Sequence, residues 1–118
     1  PFFVSDFAQS THQPIHPSPD LIVNSTPVGI WRHIDESPWL ADLPFPPGAL
    51  IYDLVYRPER TMFLRQAEAT GCSTQGGMDM LVVQGAAAFR LWTGQFAPLD
   101  EMMKAAHRSV VIREEEYR

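Results

Sequence analysis

Two hydrophobic patterns share this chain: short unbroken apolar runs, and longer stretches with an apolar residue every third or fourth position. Leu21-Ile22-Val23, opening the segment Asp20 to Gly29, and Leu50-Ile51, inside Gly48 to Tyr56, are runs of the first kind. A run without alternation predicts a strand buried on both faces, as in a parallel sheet. Both end in polar groups, the first at Asn24-Ser25-Thr26-Pro27 and the second at Asp53 and Tyr56, where Arg57-Pro58 terminates it. Cys72 to Gln75 predicts a short third strand leading into the pair Gly76-Gly77. Helical spacing takes over elsewhere. Thr61 is an N-cap for a helix from Met62 to Thr70, with Phe63, Leu64 and Ala67 on its buried side and Gly71 as its stop. Residues 76 to 94 read as a glycine pair, a short loop and an amphipathic helix ending at Gly94. Its apolar positions are Met80, Val83, Ala87 and Leu91, with Leu81, Ala88 and Trp92 beside them. A last helix runs from Pro98 to about Arg113, with Leu99, Met102, Met103 and Ala106 on its apolar face. Asp100 and Glu101 sit in its first turn, where the helix dipole favours acids.

The order strand, connector, strand, helix, strand, helix, helix predicts an α/β fold. It is part of a doubly wound (Rossmann-like) parallel sheet followed by C-terminal helices. Residues 20–113 form the main unit, and 114–118, with Glu114 to Glu116, a solvated tail. Within the unit, residues 30–47 carry Trp31, Trp39, Pro38, Pro44, Pro46 and Pro47. They predict a connector crossing the sheet, with a short helical turn around Ser37 to Leu40. Residues 1–19 place Phe2, Phe3, Val4 and Phe7 in a strand or anchoring segment, ahead of a connector through Pro14, Pro17 and Pro19. No GxGxxG turn follows any strand, so the phosphate-cradling turn of a dinucleotide fold is expected to be absent from this chain; with its strand pair and helix it would normally lie just upstream of residue 20.

Composition narrows the partners. A chain of 118 residues, 45% hydrophobic, suffices for one domain with a real core. The net charge of −5 and the single lysine, Lys104, argue against nucleic acid or an anionic membrane as main partner. The lone cysteine, Cys72, allows no internal disulfide and fits a reducing, cytoplasmic setting. No apolar run reaches the roughly 18 residues of a membrane span, and the N-terminus lacks the basic region of a signal peptide. The chain begins with Pro, as expected of a fragment or a processed product.

Several residues carry candidate chemistry. Gln84 is an amide in an apolar field; it either meets a backbone partner in a packed helix or reaches a ligand. Gly77, just before that helix, permits close backbone approach. Gly85-Ala86-Ala87-Ala88 leaves one helix surface bare enough for a neighbouring element or a planar ligand. Asn24, Ser25 and Thr26 stand where a parallel sheet forms its ligand crevice, although the same residues suit a turn capped by its own hydroxyls. His12 and His16 have the spacing of a helical metal pair, but Pro14 and Pro17 spoil the helix and no third ligand is nearby. No metal site is expected. Cys72 has no basic neighbour in sequence and reads as an inert, buried thiol.

Three blocks together resemble shikimate dehydrogenase: Asp20 to Gly29, Tyr52 to Pro58, and Gly77 to Gly85 running on to Gly94. The resemblance covers about residues 20 to 108 and is to the C-terminal part of that enzyme. It implies an NADP-dependent oxidoreductase that reduces 3-dehydroshikimate to shikimate in aromatic amino-acid biosynthesis. By motif, Gln84 resembles the glutamine that bonds substrate hydroxyls, and Tyr56 a substrate-side tyrosine. Gly77 and Met80 resemble residues beside the nicotinamide, with Leu54 packing against it. Thr26, with Ser25 and Pro27, resembles the cofactor-lining turn. The family's catalytic Lys and Asp, Gly-rich turn and phosphate clamp lie N-terminal to these blocks, and Lys104 does not match the catalytic lysine. The chain alone is therefore expected to be inactive and to bind NADP weakly or not at all. The alternative is a stand-alone, non-enzymatic α/β remnant that binds a small molecule or covers its open sheet edge by self-association as a homodimer.

Overall fold

A computed structural model describes residues 18–116 of the chain. The Phe-rich segment and the His12/His16 pair lie outside the described residues. Three parallel strands, β1 (Leu21–Asn24), β2 (Leu50–Asp53) and β3 (Ser73–Gln75), form one sheet in the order β1-β2-β3. Leu21 pairs with Leu50 and Asn24 with Asp53, so β1 and β2 end level, and Tyr52 pairs with Gln75. Three helices follow the pattern of the sequence: α1 (Met62–Ala69), α2 (Met78–Thr93) and α3 (Leu99–Glu116).

Side chains alternate across a strand, and here the two faces of the sheet have different fates. Ile22 and Ile51 point to the face covered by α1 and by the connector. Trp39, Leu43, Phe45, Ala49, Phe63, Leu64 and Ala67 join them there in the main core. Trp39 stacks on Phe45 with ring centroids 4.6 Å apart and donates its indole N–H to the Leu43 carbonyl at 2.8 Å. The connector contains only turns and bends, with no helical turn at Ser37 to Leu40. Its order comes from burying Trp39. On the opposite face Leu21, Val23 and Leu50 are exposed. This corrects the expectation of strands buried on both faces: an unbroken apolar run says a strand can be covered twice, and among the described residues only one cover is present.

Local signals hold well in α1. Thr61 caps it, accepting from the Leu64 N–H at 3.3 Å, and Phe63, Leu64 and Ala67 are its buried residues. α2 ends where glycine permits the left-handed turn: Gly94 has φ 71° and its N–H bonds to the Arg90 carbonyl. The face by which α2 packs differs from the expected one. Met78 and Val82 are buried against Val110, with Leu81, Met102, Met103 and Ala106 around them, whereas Met80, Val83, Leu91 and Trp92 are exposed. α2 is apolar almost all round, so its pattern marks no unique face, and contact with α3 selects one. The bare surface at Gly85 does admit a neighbour, since a Cβ there would lie 3.5 Å from the Met102 methyl. α3 continues through the expected tail as far as Glu116, and Leu99 is exposed rather than packed.

Candidate functional site

The carboxyl ends of the strands are laced together by backbone hydrogen bonds. Leu54 N–H donates to the Asn24 carbonyl at 3.0 Å, joining the loops after β1 and β2. Gly77 N–H donates to the Val55 carbonyl at 3.4 Å, bringing in the junction after β3. Gly77 is buried, and a Cβ on it would fall 2.2 Å from the Leu54 oxygen. The close approach that this glycine permits is thus to the backbone of Leu54, which seats the start of α2 against the loop after β2.

Beneath these loops lies a buried polar network. Asp53, wholly buried, accepts from Asn24 Nδ2 at 3.0 Å and Val55 N–H at 3.0 Å through Oδ1, and from Thr61 Oγ1 at 2.6 Å through Oδ2. Asn24 in turn accepts from the Thr26 N–H at 3.0 Å and its hydroxyl at 2.7 Å, and Thr26 Oγ1 receives the Val28 N–H. Burial pushes the Asp53 carboxyl above its ordinary range, while the hydrogen bonds from Thr61, Val55 and Asn24 pull it down. Asp53 does not emerge at the strand end as the sequence suggested. It is the anchor that clamps both strand ends and the cap of α1, leaving Asn24 and Thr26 as the shaped turn above it.

On this base sits an open depression of about 330 Å³, lined by Ser25, Thr26, Pro27, Ile30, Leu54, Val55, Tyr56 and Arg57. Five of the eight residues singled out from sequence, namely Ser25, Thr26, Pro27, Leu54 and Tyr56, are therefore brought together. Gly77 adjoins them through Leu54. Met80 and Gln84 lie outside the lining, exposed and one turn apart on α2. Exposure removes the reading of Gln84 as an amide packed against backbone. The sequence reading did not single out Ile30, Val55 or Arg57 as site residues. Arg57 could have been found from its place directly after Tyr56, yet it read as the end of a strand.

The lining offers the Ser25 and Tyr56 hydroxyls, a guanidinium and the apolar surfaces of Ile30, Leu54 and Val55. That donor set suits a ligand with a flat apolar part and a polar or anionic part. Thr26 is less free, because its hydroxyl already donates to Asn24. A larger open depression of about 560 Å³, beside Ala87, Arg90, Leu91 and Gly94, holds none of the expected site residues. Among the described residues no group of three His, Cys, Asp or Glu side chains is arranged for a metal ion. Half-buried Cys72 packs beside the main core, its thiol 3.8 Å from the Pro46 carbonyl. No described helix is long and apolar enough to cross a membrane.

Comparison with known proteins bears on the family and the fold. Residues 77–107 match the Shikimate 5'-dehydrogenase C-terminal domain family. A shikimate dehydrogenase (NADP(+)) of Moorella thermoacetica is 49% identical over 83 residues, which are 70% of this chain and 28% of that protein. The structure of shikimate 5-dehydrogenase from Thermus thermophilus in complex with NADP(H) and shikimate superposes with TM-score 0.69 at 48% identity, covering 75% of this chain and 33% of that one. Quinate dehydrogenase from Corynebacterium glutamicum in complex with NAD superposes with TM-score 0.66 at 32% identity, covering 76% and 31%. The chain thus spans about a third of the length of these relatives. In sequence and in fold, it belongs with the C-terminal part of the shikimate dehydrogenases.

Proposed function

We propose that this chain supplies the nicotinamide-side and substrate-closing part of a shikimate dehydrogenase site, working in the cytoplasm with a partner segment that carries the catalytic groups and the phosphate-binding turn. The observation that carries the reading is the depression at the carboxyl ends of β1 and β2, where parallel sheets bind their ligands. Leu54, Thr26, Ser25 and Pro27 form its cofactor side, with Gly77 against the Leu54 backbone and Met80, on α2 outside the lining, as a further cofactor-side residue. Tyr56 and Gln84 are the substrate-side groups: a phenol and an exposed amide suit the hydroxyls of 3-dehydroshikimate or shikimate. NADPH, when bound, supplies the hydride. This chain's residues orient the two ligands and exclude water, while the proton for the new hydroxyl comes from the partner segment.

Co-expression with the N-terminal two-thirds of the Moorella thermoacetica enzyme tests this. The soluble complex is expected to reduce 3-dehydroshikimate with NADPH, and Gln84→Ala to lower kcat/KM by roughly tenfold to a hundredfold, as for a lost substrate hydrogen bond. The isolated chain is expected to show no turnover and weak or no NADP binding. A soluble complex without activity would overturn the proposal.

A second reading, a stand-alone self-associating module, is favoured by one observation: exposed Leu21, Val23 and Leu50 on the sheet, and exposed Met80, Val83, Leu91 and Trp92 on α2. It predicts a homodimer by light scattering, and a monomer in dilute solution would remove it.

A further inference from the structure

The α2–α3 hairpin meets the body formed by the sheet and α1 at few points. Among the described elements, α2 and α3 pack on each other and on neither the strands nor α1. The covalent attachment of the hairpin is the Gly76-Gly77 junction. Glu59 touches both sides of that joint. It lies in the loop that continues from Tyr56 and Arg57 of the depression. Its backbone carbonyl abuts Gly76, where a Cβ would fall 3.1 Å from the oxygen. Its carboxylate reaches α3, with Oε1 2.6 Å from His107 Nδ1. A carboxylate only accepts, so Nδ1 carries the proton of this bond. His107 borders the seam of the hairpin: Met103 and Val110, on the same side of α3, cluster with Met78 and Val82 at the start of α2. A further side-chain bond, from Gln75 Nε2 to Asp79 Oδ2 at 3.0 Å, spans only the junction itself. A hairpin attached at one junction can swing about it, and a second attachment away from the junction removes the swing.

We propose that Glu59 and His107 are positioning residues. Their bond latches the hairpin to the loop after β2, and so fixes the orientation of α2, and of the Gln84 it carries, relative to the body. The value of that orientation for substrate rests on the reading of Gln84 given above; the latch itself does not. Both side chains are partly exposed, His107 at 45% and Glu59 at 42%, so the pair adds little to global stability. Swinging the hairpin breaks few other contacts, however. A bond that barely moves unfolding therefore suffices to shift this local equilibrium.

Backbone N–H residual dipolar couplings of the full chain in a dilute aligned medium test the latch, because they report how two parts are oriented rather than how stable either is. In the native chain, one alignment is expected to fit the couplings of β1, β2, β3 and α1 together with those of α2 and α3. His107→Leu removes the donor and is expected to lose that common fit, with the hairpin couplings reduced relative to those of the sheet and the melting temperature little changed. Glu59→Ala is expected to do the same from the loop side, without altering α3, and the double variant to be no worse than either single one. His107→Asn puts an amide N–H near the position of Nδ1 and is expected to restore the common fit. One alignment still fitting both His107→Leu and Glu59→Ala, or His107→Asn losing the fit as fully as His107→Leu, would overturn the proposal. These couplings need no dehydrogenase activity, so an inactive complex with an intact latch counts against the enzymatic reading alone.

Discussion

The sheet with α1 and the hairpin of α2 and α3 are held by different means. In the first, aromatic and aliphatic side chains from the connector, β2 and α1 enclose one another: Phe63 and Ile51 are among the largest fully buried side chains, and Trp39, Phe45 and Phe63 are in mutual ring contact. In the second, Met78, Val82 and Val110 are the buried residues, while Leu91 and Trp92 are each 84% exposed and Phe96 is 80% exposed. Among the described elements α3 packs against α2 and not against the sheet. The hairpin joins the body through the Gly76-Gly77 junction and through His107 Nδ1, 2.6 Å from Glu59 Oε1. The contrast teaches where rigidity is placed: the depression sits on the closely packed body, whereas Met80 and Gln84 ride on an element with few anchors of its own.

The strongest attack on that contrast is a pair of cavity-making substitutions. Phe63→Ala is expected to cost about 3–5 kcal/mol and to lower the urea midpoint of the whole chain. Val82→Ala removes two buried carbons and is expected to cost about 1–2 kcal/mol. Its effect on hydrogen exchange should fall on α2 and α3, leaving β1 to β3 protected. Equal costs, or loss of protection throughout the sheet in both variants, would erase the distinction.

Next in size is the buried carboxyl. Asp53→Ala deprives Asn24, Val55 and Thr61 of their shared acceptor and is expected to cost about 2–4 kcal/mol. The sign of its pH dependence follows from the raised carboxyl. Folding favours the protonated form, so this contribution is full below the ordinary carboxylate value near 4. It is lost as pH rises through the raised folded-state value. The native chain should therefore lose stability relative to Asp53→Asn as pH rises from about 3 toward neutrality, measured by chemical denaturation at each pH. A constant difference would remove the burial argument.

The two glycines of the hairpin give effects of opposite signs. Gly77→Ala drives a methyl into the Leu54 carbonyl and is expected to destabilise by about 1–3 kcal/mol, loosening the seat of α2 on the body. Gly85→Ala meets only the flexible Met102 methyl at 3.5 Å and is expected to stabilise by up to about 1 kcal/mol, since alanine is the better helix former. Thermal melts of the two variants moving in the same direction would contradict this picture.

Elements governed by near neighbours in the chain were readable in advance. The cap of α1 at Thr61, its buried Phe63, Leu64 and Ala67, and the stop of α2 at Gly94 depend on residues within a turn or two. The residues of the depression were legible in part, because polar groups at the ends of parallel strands mark a crevice whatever the details. Arg57 was not legible, since what holds it is the Trp31 ring, supplied by the connector twenty-six positions earlier in the chain.

The sequence by itself determined the order of strands and helices, the acidic charge, and the residue blocks shared with shikimate dehydrogenases, because periodicity, caps and motifs are properties of adjacent positions. Only the tertiary structure decided which face of α2 is buried, which face of the sheet is open, and that Asp53 anchors the fold beneath the site. An apolar helix or strand carries several equally good burial patterns, and only the side chains brought against it from distant positions select one.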